Sequence, residues 1–275
     1  MYTTIARRRI VLPGFLLKGM ISMCRQLQIR HHQRAVTAVY DAPENADGAV
    51  IFCHGFNGYY TDFGDLARGV NALGLGALRI AFCGGSLRDP SGFGSEHMSL
   101  LTEKEDLLAA MAYLRREEGI RHIYLFGASK GGMVCTLTAA ACQEEVKGLV
   151  LLFPALCNAD DWKRMFPDAS AMPERLTFMS MPLGRCYRES VEGLDVWRCI
   201  AEINKPVLIF HGDADPVVPV SYAQRAVRTF PNANLVVFPG EGHGFTAAGD
   251  RRMNALTLDF IAKEYNKKAA SHPLI

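Results

Sequence analysis

Leu125-Phe126-Gly127-Ala128-Ser129-Lys130-Gly131-Gly132 is a G-x-S-x-G stretch. It lies between an apolar, strand-like run, His122 to Phe126, and a helix-like run that opens at Lys130. A serine in a sharp strand-to-helix turn is pushed out of the sheet with its Oγ exposed. Glycines two before and two after it let the turn close without Cβ clashes. The helix that follows aims free N–H groups at whatever the serine attacks. Ser129 is therefore the candidate nucleophile. Short glycine–serine patterns also occur as ordinary turns, so the surroundings have to decide.

Two further signals lie downstream, an acidic turn and then a histidine loop. Val207-Leu208-Ile209-Phe210 runs as a buried strand into His211-Gly212-Asp213-Ala214-Asp215-Pro216 and a helix start. Leu235-Val236-Val237-Phe238 runs into Pro239-Gly240-Glu241-Gly242-His243-Gly244, a glycine-rich loop around one histidine. Upstream, Val50-Ile51-Phe52-Cys53 ends in His54-Gly55-Phe56, a setting suited to a second oxyanion N–H. Open α/β sheets place their chemistry in loops at the carboxyl ends of parallel strands.

The spacing of apolar residues beyond residue 48 alternates strand and helix. Strands are expected at Ala49–Cys53, Ala77–Phe82, Ile123–Phe126, Val146–Phe153, Val207–Phe210 and Leu235–Phe238. Helices are expected at Thr61–Leu73, Glu103–Glu118, from Lys130 to about Gln143, at Val220–Phe230 and at Arg251–Tyr265. Such alternation predicts an α/β fold, a mainly parallel sheet with helices on both faces. The interval 154–205 breaks the rhythm. A structureless loop of that length is rare in a compact domain, so we read it as a small inserted cap, with 1–153 and 206–275 as the core. From Asn266 onward the tail reads as frayed and solvated.

The chain has 275 residues, which suits one domain with an insertion. Hydrophobic content of 49% and charged content of 21% fit a compact fold, and a net charge of +2 drives binding to neither nucleic acid nor membrane. No nucleic-acid motif and no transmembrane-length stretch occurs. The expected partner is a small-molecule ester, and the composition leaves room for a homodimer. The eight cysteines include no C-x-x-C, and several sit in apolar runs. We read them as reduced thiols in a cytoplasmic protein. Arg7-Arg8-Arg9 before Ile10–Leu17 resembles the start of a signal peptide, but Lys18 interrupts the run and no A-x-A follows. An early strand or loop packed on the sheet is the preferred reading.

These motifs resemble the α/β-hydrolase superfamily over about residues 48–265. Within it they are most similar to the small cinnamoyl/feruloyl esterases and related carboxylesterases. The likeness rests on His54-Gly55-Phe56, the Arg79–Ser86 strand end, Gly127–Gly132, Lys147–Leu152, His211-Gly212-x-x-Asp215 and Gly242-His243-Gly244-Phe245. It implies Ser129 as nucleophile, Asp215 as acid, His243 as base, and the backbone N–H groups of Phe56 and Lys130 as oxyanion donors. It also implies a cap where residues 154–205 stand. The residue after the serine is commonly Gln in these esterases, whereas here it is Lys130.

The residues themselves support some of these roles. Ser129 needs a base, and the base needs an orienter. His243 has the suitable loop. His54 precedes the oxyanion turn, His211 ends a strand, and His31, His32, His97 and His122 lack such a loop. Asp213 and Asp215 are harder to separate. Pro216 holds Asp215 extended, and Asp213 can brace its own turn. Lys130 opposes the helix dipole; its side chain is expected in solvent, with pairing to a carboxylate or a place in the pocket as alternatives. Trp162, Phe178 and Tyr187 are the candidate pocket residues. The expected function is a serine carboxylesterase for small acyl or aromatic esters, needing no cofactor and no metal. The alternatives are an acyl-aminopeptidase-like peptidase or thioesterase on the same residues, and a catalytically silent binding protein.

Overall fold

A computed structural model describes residues 23–271. The expectation for Ile10–Leu17 lies outside the described residues. In chain order the strands are β1 Met23–His31, β2 Arg34–Ala42, β3 Gly48–Cys53, β4 Gly76–Ala81, β5 His122–Ala128, β6 Val146–Leu152, β7 Arg175–Phe178, β8 Met181–Gly184, β9 Val207–Gly212 and β10 Ala233–Phe238. The helices are α1 Gly64–Ala72, α2 Leu100–Glu117, α3 Lys130–Ala141, α4 Asn158–Met165, α5 Arg185–Glu189, α6 Val196–Ala201, α7 Val220–Thr229 and α8 Ala247–Ser271.

Eight strands form one sheet in the order β1-β2-β4-β3-β5-β6-β9-β10. From β4 to β10 every neighbouring pair is parallel. The reason is the alternation within buried strands. In β3, Ile51 and Cys53 point to the face covered by Leu107 of α2 and Met133 of α3, while Val50 and Phe52 point to Leu66 and Val70 of α1 and Ile261 of α8. A strand apolar on both faces needs helices on both faces. This is the α/β-hydrolase architecture.

Two features differ from the expectations. The first is the hairpin β1–β2, which adds two antiparallel strands to one edge of the sheet. Its turn is His32-Gln33, with His32 at φ 49°, and it lacks the Asn-Gly type of signal. The inward side of β1 also carries His31, anchored on Asp106 of α2 at 3.2 Å, so the strand does not read as apolar alternation. The second is the tail. Helix α8 continues to Ser271, past the expected fraying at Asn266.

The chain moves outward from β3 to β4 and then crosses back to β5, so the strand order reverses between β3 and β5. Their carboxyl ends therefore flank a crevice, the place where open α/β sheets bind ligands. The segment between β6 and β9 holds α4, the β7–β8 hairpin, α5 and α6.

Candidate active site

Ser129 stands between β5 and α3 at φ 51° and ψ −119°. That is a strained position for a residue with a Cβ. Neighbouring structure enforces it: the Ser129 N–H donates to the Leu152 carbonyl at 2.9 Å, and its own carbonyl accepts from Ala155 at 2.9 Å. The turn closes only because two glycines flank it. A Cβ on Gly131 would lie 2.3 Å from the Cys53 carbonyl oxygen, and one on Gly127 would lie 2.5 Å from the Gly131 oxygen.

His243, in the loop after β10, places Nε2 2.9 Å from Ser129 Oγ and Nδ1 2.8 Å from Asp215 Oδ2. An ionised carboxylate only accepts, so Nδ1 carries the proton and Nε2 is left to accept from the serine hydroxyl. Asp215 is fixed by the N–H groups of Val217 at 2.8 Å and Val218 at 2.9 Å, both donating to Oδ1. Asp213 faces elsewhere and accepts from the Gly240 N–H at 2.6 Å. Of the two acids, Asp215 is the one within hydrogen-bond distance of His243. His211, buried at the end of β9, donates from Nε2 to the Val218 carbonyl at 2.8 Å. Burial pushes its pKa down.

Phe56 and Lys130, just beyond the ends of β3 and β5, line the same cavity as Ser129, and their backbone N–H groups are the candidate oxyanion donors. Among the described residues neither donates to a protein acceptor. His54, fully buried, orients the first of them. Its Nε2 accepts from the Phe82 N–H at 3.1 Å, so its Nδ1–H donates to the Gly55 carbonyl at 2.7 Å. In a trans peptide the carbonyl and the next N–H point in opposite directions. Holding the Gly55 oxygen on the imidazole therefore turns the Phe56 N–H outward. Burial first, and then the Lys130 charge, push the His54 pKa down to about 3, so the ring stays neutral in this role.

The Lys130 side chain is not in solvent. It is buried, ion-paired with Glu103 of α2, with Nζ 3.8 Å from Met98 Sδ and 5.3 Å from the centre of the Phe56 ring. Glu103 is 0% exposed. Burial pushes its carboxyl up to about 7, against the pull of Lys130. The opposition to the helix dipole is thus offset by a buried counter-charge from another helix.

A cavity of about 90 Å³ opens beside Ser129 and Lys130. Trp162, Phe178 and Tyr187 meet there: the Trp162 ring lies 4.9 Å from that of Phe178 and 5.1 Å from that of Tyr187, and Phe178 packs edge-on against Phe56 at 5.6 Å. Asn158 Nδ2 donates to the Tyr187 hydroxyl at 3.1 Å. Among the described residues no cluster of His, Cys, Asp and Glu could hold a metal ion, and no helix is long and apolar enough to cross a membrane.

The family model described as "Serine aminopeptidase, S33" matches residues 44–187, just over half of the 275. The chain belongs to this α/β-hydrolase family. A second family model, "TAP-like protein", matches residues 178–268 of the hydrolase. Its fold is similar to that of Est1E from Butyrivibrio proteoclasticus, solved with ferulic acid bound, at a TM-score of 0.80 and 24% identity over 87% of this chain and 99% of that one. A monoacylglycerol lipase from Paleococcus ferrophilus superposes with a TM-score of 0.65 at 18% identity, covering 83% of this chain and 99% of that one. These two likenesses show the fold. In sequence, 60 residues are 43% identical to a non-heme haloperoxidase from Rhodococcus erythropolis, 22% of either chain. Against the curated relatives the matched stretches span only about a fifth to a third of the relative's length.

Proposed function

We propose that this α/β-hydrolase is a serine carboxylesterase that cleaves esters of small acyl or single-ring aromatic acids through an acyl-enzyme. The observation that carries the reading is the continuous hydrogen-bonded chain from Ser129 Oγ through the His243 ring to Asp215. In the first step Ser129 Oγ bonds to the ester carbonyl carbon as its proton passes to His243 Nε2. Asp215 keeps the imidazole in the required tautomer and stabilises the imidazolium. The carbonyl oxygen, now an anion, is held by the N–H groups of Phe56 and Lys130. Collapse expels the alcohol, which takes the proton from Nε2. Water repeats the sequence on the acyl-serine and releases the acid.

Residues 154–205 supply most of the cavity lining, which supports their role as a cap over the acyl site. A cavity near 90 Å³ is smaller than the roughly 150 Å³ space that holds a benzene ring. A short acyl chain fits it as it stands, whereas an aromatic acid of the feruloyl or cinnamoyl type needs a wider cavity than this one. An aminopeptidase would need a free carboxylate for the substrate ammonium. The cavity's carboxylate is Asp161, already engaged by Arg164 at 3.0 Å, which favours the ester reading. Eight free cysteines support the cytoplasmic assignment.

The test is hydrolysis of p-nitrophenyl and feruloyl esters by the wild type and by Ser129→Ala. Activity in the first and its loss in the second, with the fold intact, is the expected result. A variant that retains wild-type kcat sinks the reading.

A further inference from the structure

The hairpin β7–β8 closes on the pair Phe178 and Met181, so Met179 and Ser180 make its two-residue turn. Both stand in the left-handed region, at φ 44° and 66°. Turns of this kind ordinarily carry Asn and Gly, because a Cβ meets the neighbouring backbone there. Met179 gains no interior packing in return, since it is 58% exposed. Neither local propensity nor core packing accounts for a long apolar side chain at this tip. Its position does: Met179 lines the mouth of the cavity beside Ser129.

Two other exposed apolar side chains share that mouth. Met165 ends α4, and Val217 lies in the loop that carries Asp215. Among the described residues five large hydrophobics are exposed, and these are three of them. A hairpin tip, a helix end and a loop therefore each bring an apolar side chain to one rim, which marks a binding surface rather than scatter.

The chemistry assigns a half of the substrate to this rim. While the acyl group stays on Ser129, the alcohol must leave and water must enter, so the alcohol occupies the open side of the cavity. Asn158 and Asp161 line the cavity too, but Asn158 donates to Tyr187 and Asp161 accepts from Arg164, and against the Met and Val side chains a sugar or glycerol would lose water without regaining hydrogen bonds. An alkyl or arylalkyl alcohol would lose only unfavourable hydration. We propose that Met179, together with Met165 and Val217, binds the leaving alcohol and selects esters of apolar alcohols over esters of sugars and glycerol. Methionine suits such a surface because its flexible thioether adapts to different shapes. This inference rests on the ester-hydrolysis reading and specifies the other half of the substrate.

The test uses acetate esters of methanol, butanol, hexanol and glycerol, each below its solubility limit. In the wild type kcat/KM rises from methyl to hexyl, with the glycerol ester lowest. Met179→Asn puts a residue tolerant of the left-handed region at the tip, so its melting temperature stays equal or rises. The hexyl-to-methyl ratio of kcat/KM falls about tenfold, which is about 1.4 kcal/mol or roughly two buried CH₂ groups. Met165→Ser shifts the ratio in the same direction. Ratios within twofold of wild type in both variants overturn the proposal. So does an alcohol preference seen only above the solubility limit, which would make the rim a docking face for emulsion droplets. Turnover of the methyl ester without alcohol preference sinks this proposal alone. A folded wild type that cleaves none of the esters sinks the esterase reading and the proposal with it.

Discussion

Replacing Glu103 by alanine isolates the most unusual electrostatic feature of the site. Lys130 is 1% exposed and Glu103 0%, so water screens neither. Without Glu103 the ammonium is left beside the Met98 sulfur and the face of Phe56, neither of which carries a charge. Removing one partner of a buried ion pair destabilises by about 3–5 kcal/mol. At about 2–4 °C per kcal/mol for a chain of this size, the melting temperature falls by roughly 6–20 °C. The double variant Lys130→Met with Glu103→Leu removes both charges and fills the space with apolar atoms. It is expected within about 1 kcal/mol of the wild type or above it, because apolar replacement of a whole buried pair is often neutral or stabilising. Urea unfolding at pH 8 of the wild type, Lys130→Met, Glu103→Leu and the double variant gives all four corners of the cycle, with Glu103→Ala measured beside them, above the pH at which Glu103, pushed up to about 7, takes up its proton. A single variant that loses less than about 1 kcal/mol, or a double variant whose loss is the sum of the singles, refutes the reasoning.

Two further outcomes are expected. Asp215→Asn should lower kcat by about 10³–10⁴, since the amide no longer enforces the tautomer of His243, whereas Asp213→Asn, which touches only the Gly240 N–H at 2.6 Å, should stay within about tenfold of wild type in kcat; steady-state kinetics of the two variants decides, and the reverse order reassigns the acid. The Glu103 carboxyl is pushed from 4.5 up to about 7 in the folded chain, so the folded state holds its proton more tightly than the unfolded state. Its contribution to stability is full below pH 4.5 and declines as pH rises toward 7; urea unfolding across that window should show the decline in the wild type and lose it in Glu103→Gln.

Much of this architecture was legible because it follows from periodicity. Val50–Cys53, Leu149–Phe153 and Val207–Phe210 are continuous apolar runs, which only a sheet covered on both faces can bury. Gly127 and Gly131 were informative for a similar reason, since steric contact at 2.3–2.5 Å leaves no room for any other residue. The edge hairpin β1–β2 was not legible. Its inward positions include Arg25 and His31, held by Glu118 and Asp106 from α2 and the loop after it, and partners distant in sequence leave no local pattern. The environment of Lys130 was hidden in the same way, though a signal existed. Leu100, Glu103, Leu107, Met111 and Leu114 share one face of α2, and a carboxylate on that face must find a buried cation. Asp106, fully buried on the same helix, carries the same message and is met by Arg34 at 3.1 Å and the Cys83 N–H at 2.8 Å. The strained tip at Met179 and Ser180 left no trace either, because neither residue type announces a left-handed turn.

The claim that Ser129 is the activated nucleophile can be tested most directly by covalent labelling. The wild type is incubated with an alkyl fluorophosphonate, and the modified peptide is located by mass spectrometry. A serine activated by a hydrogen-bonded histidine attacks phosphorus and stays esterified, whereas ordinary serines do not react. One adduct per chain is expected, on Ser129, lost in Ser129→Ala and strongly slowed in His243→Ala. An unlabelled wild type, an adduct on another residue, or equal labelling of His243→Ala would contradict it.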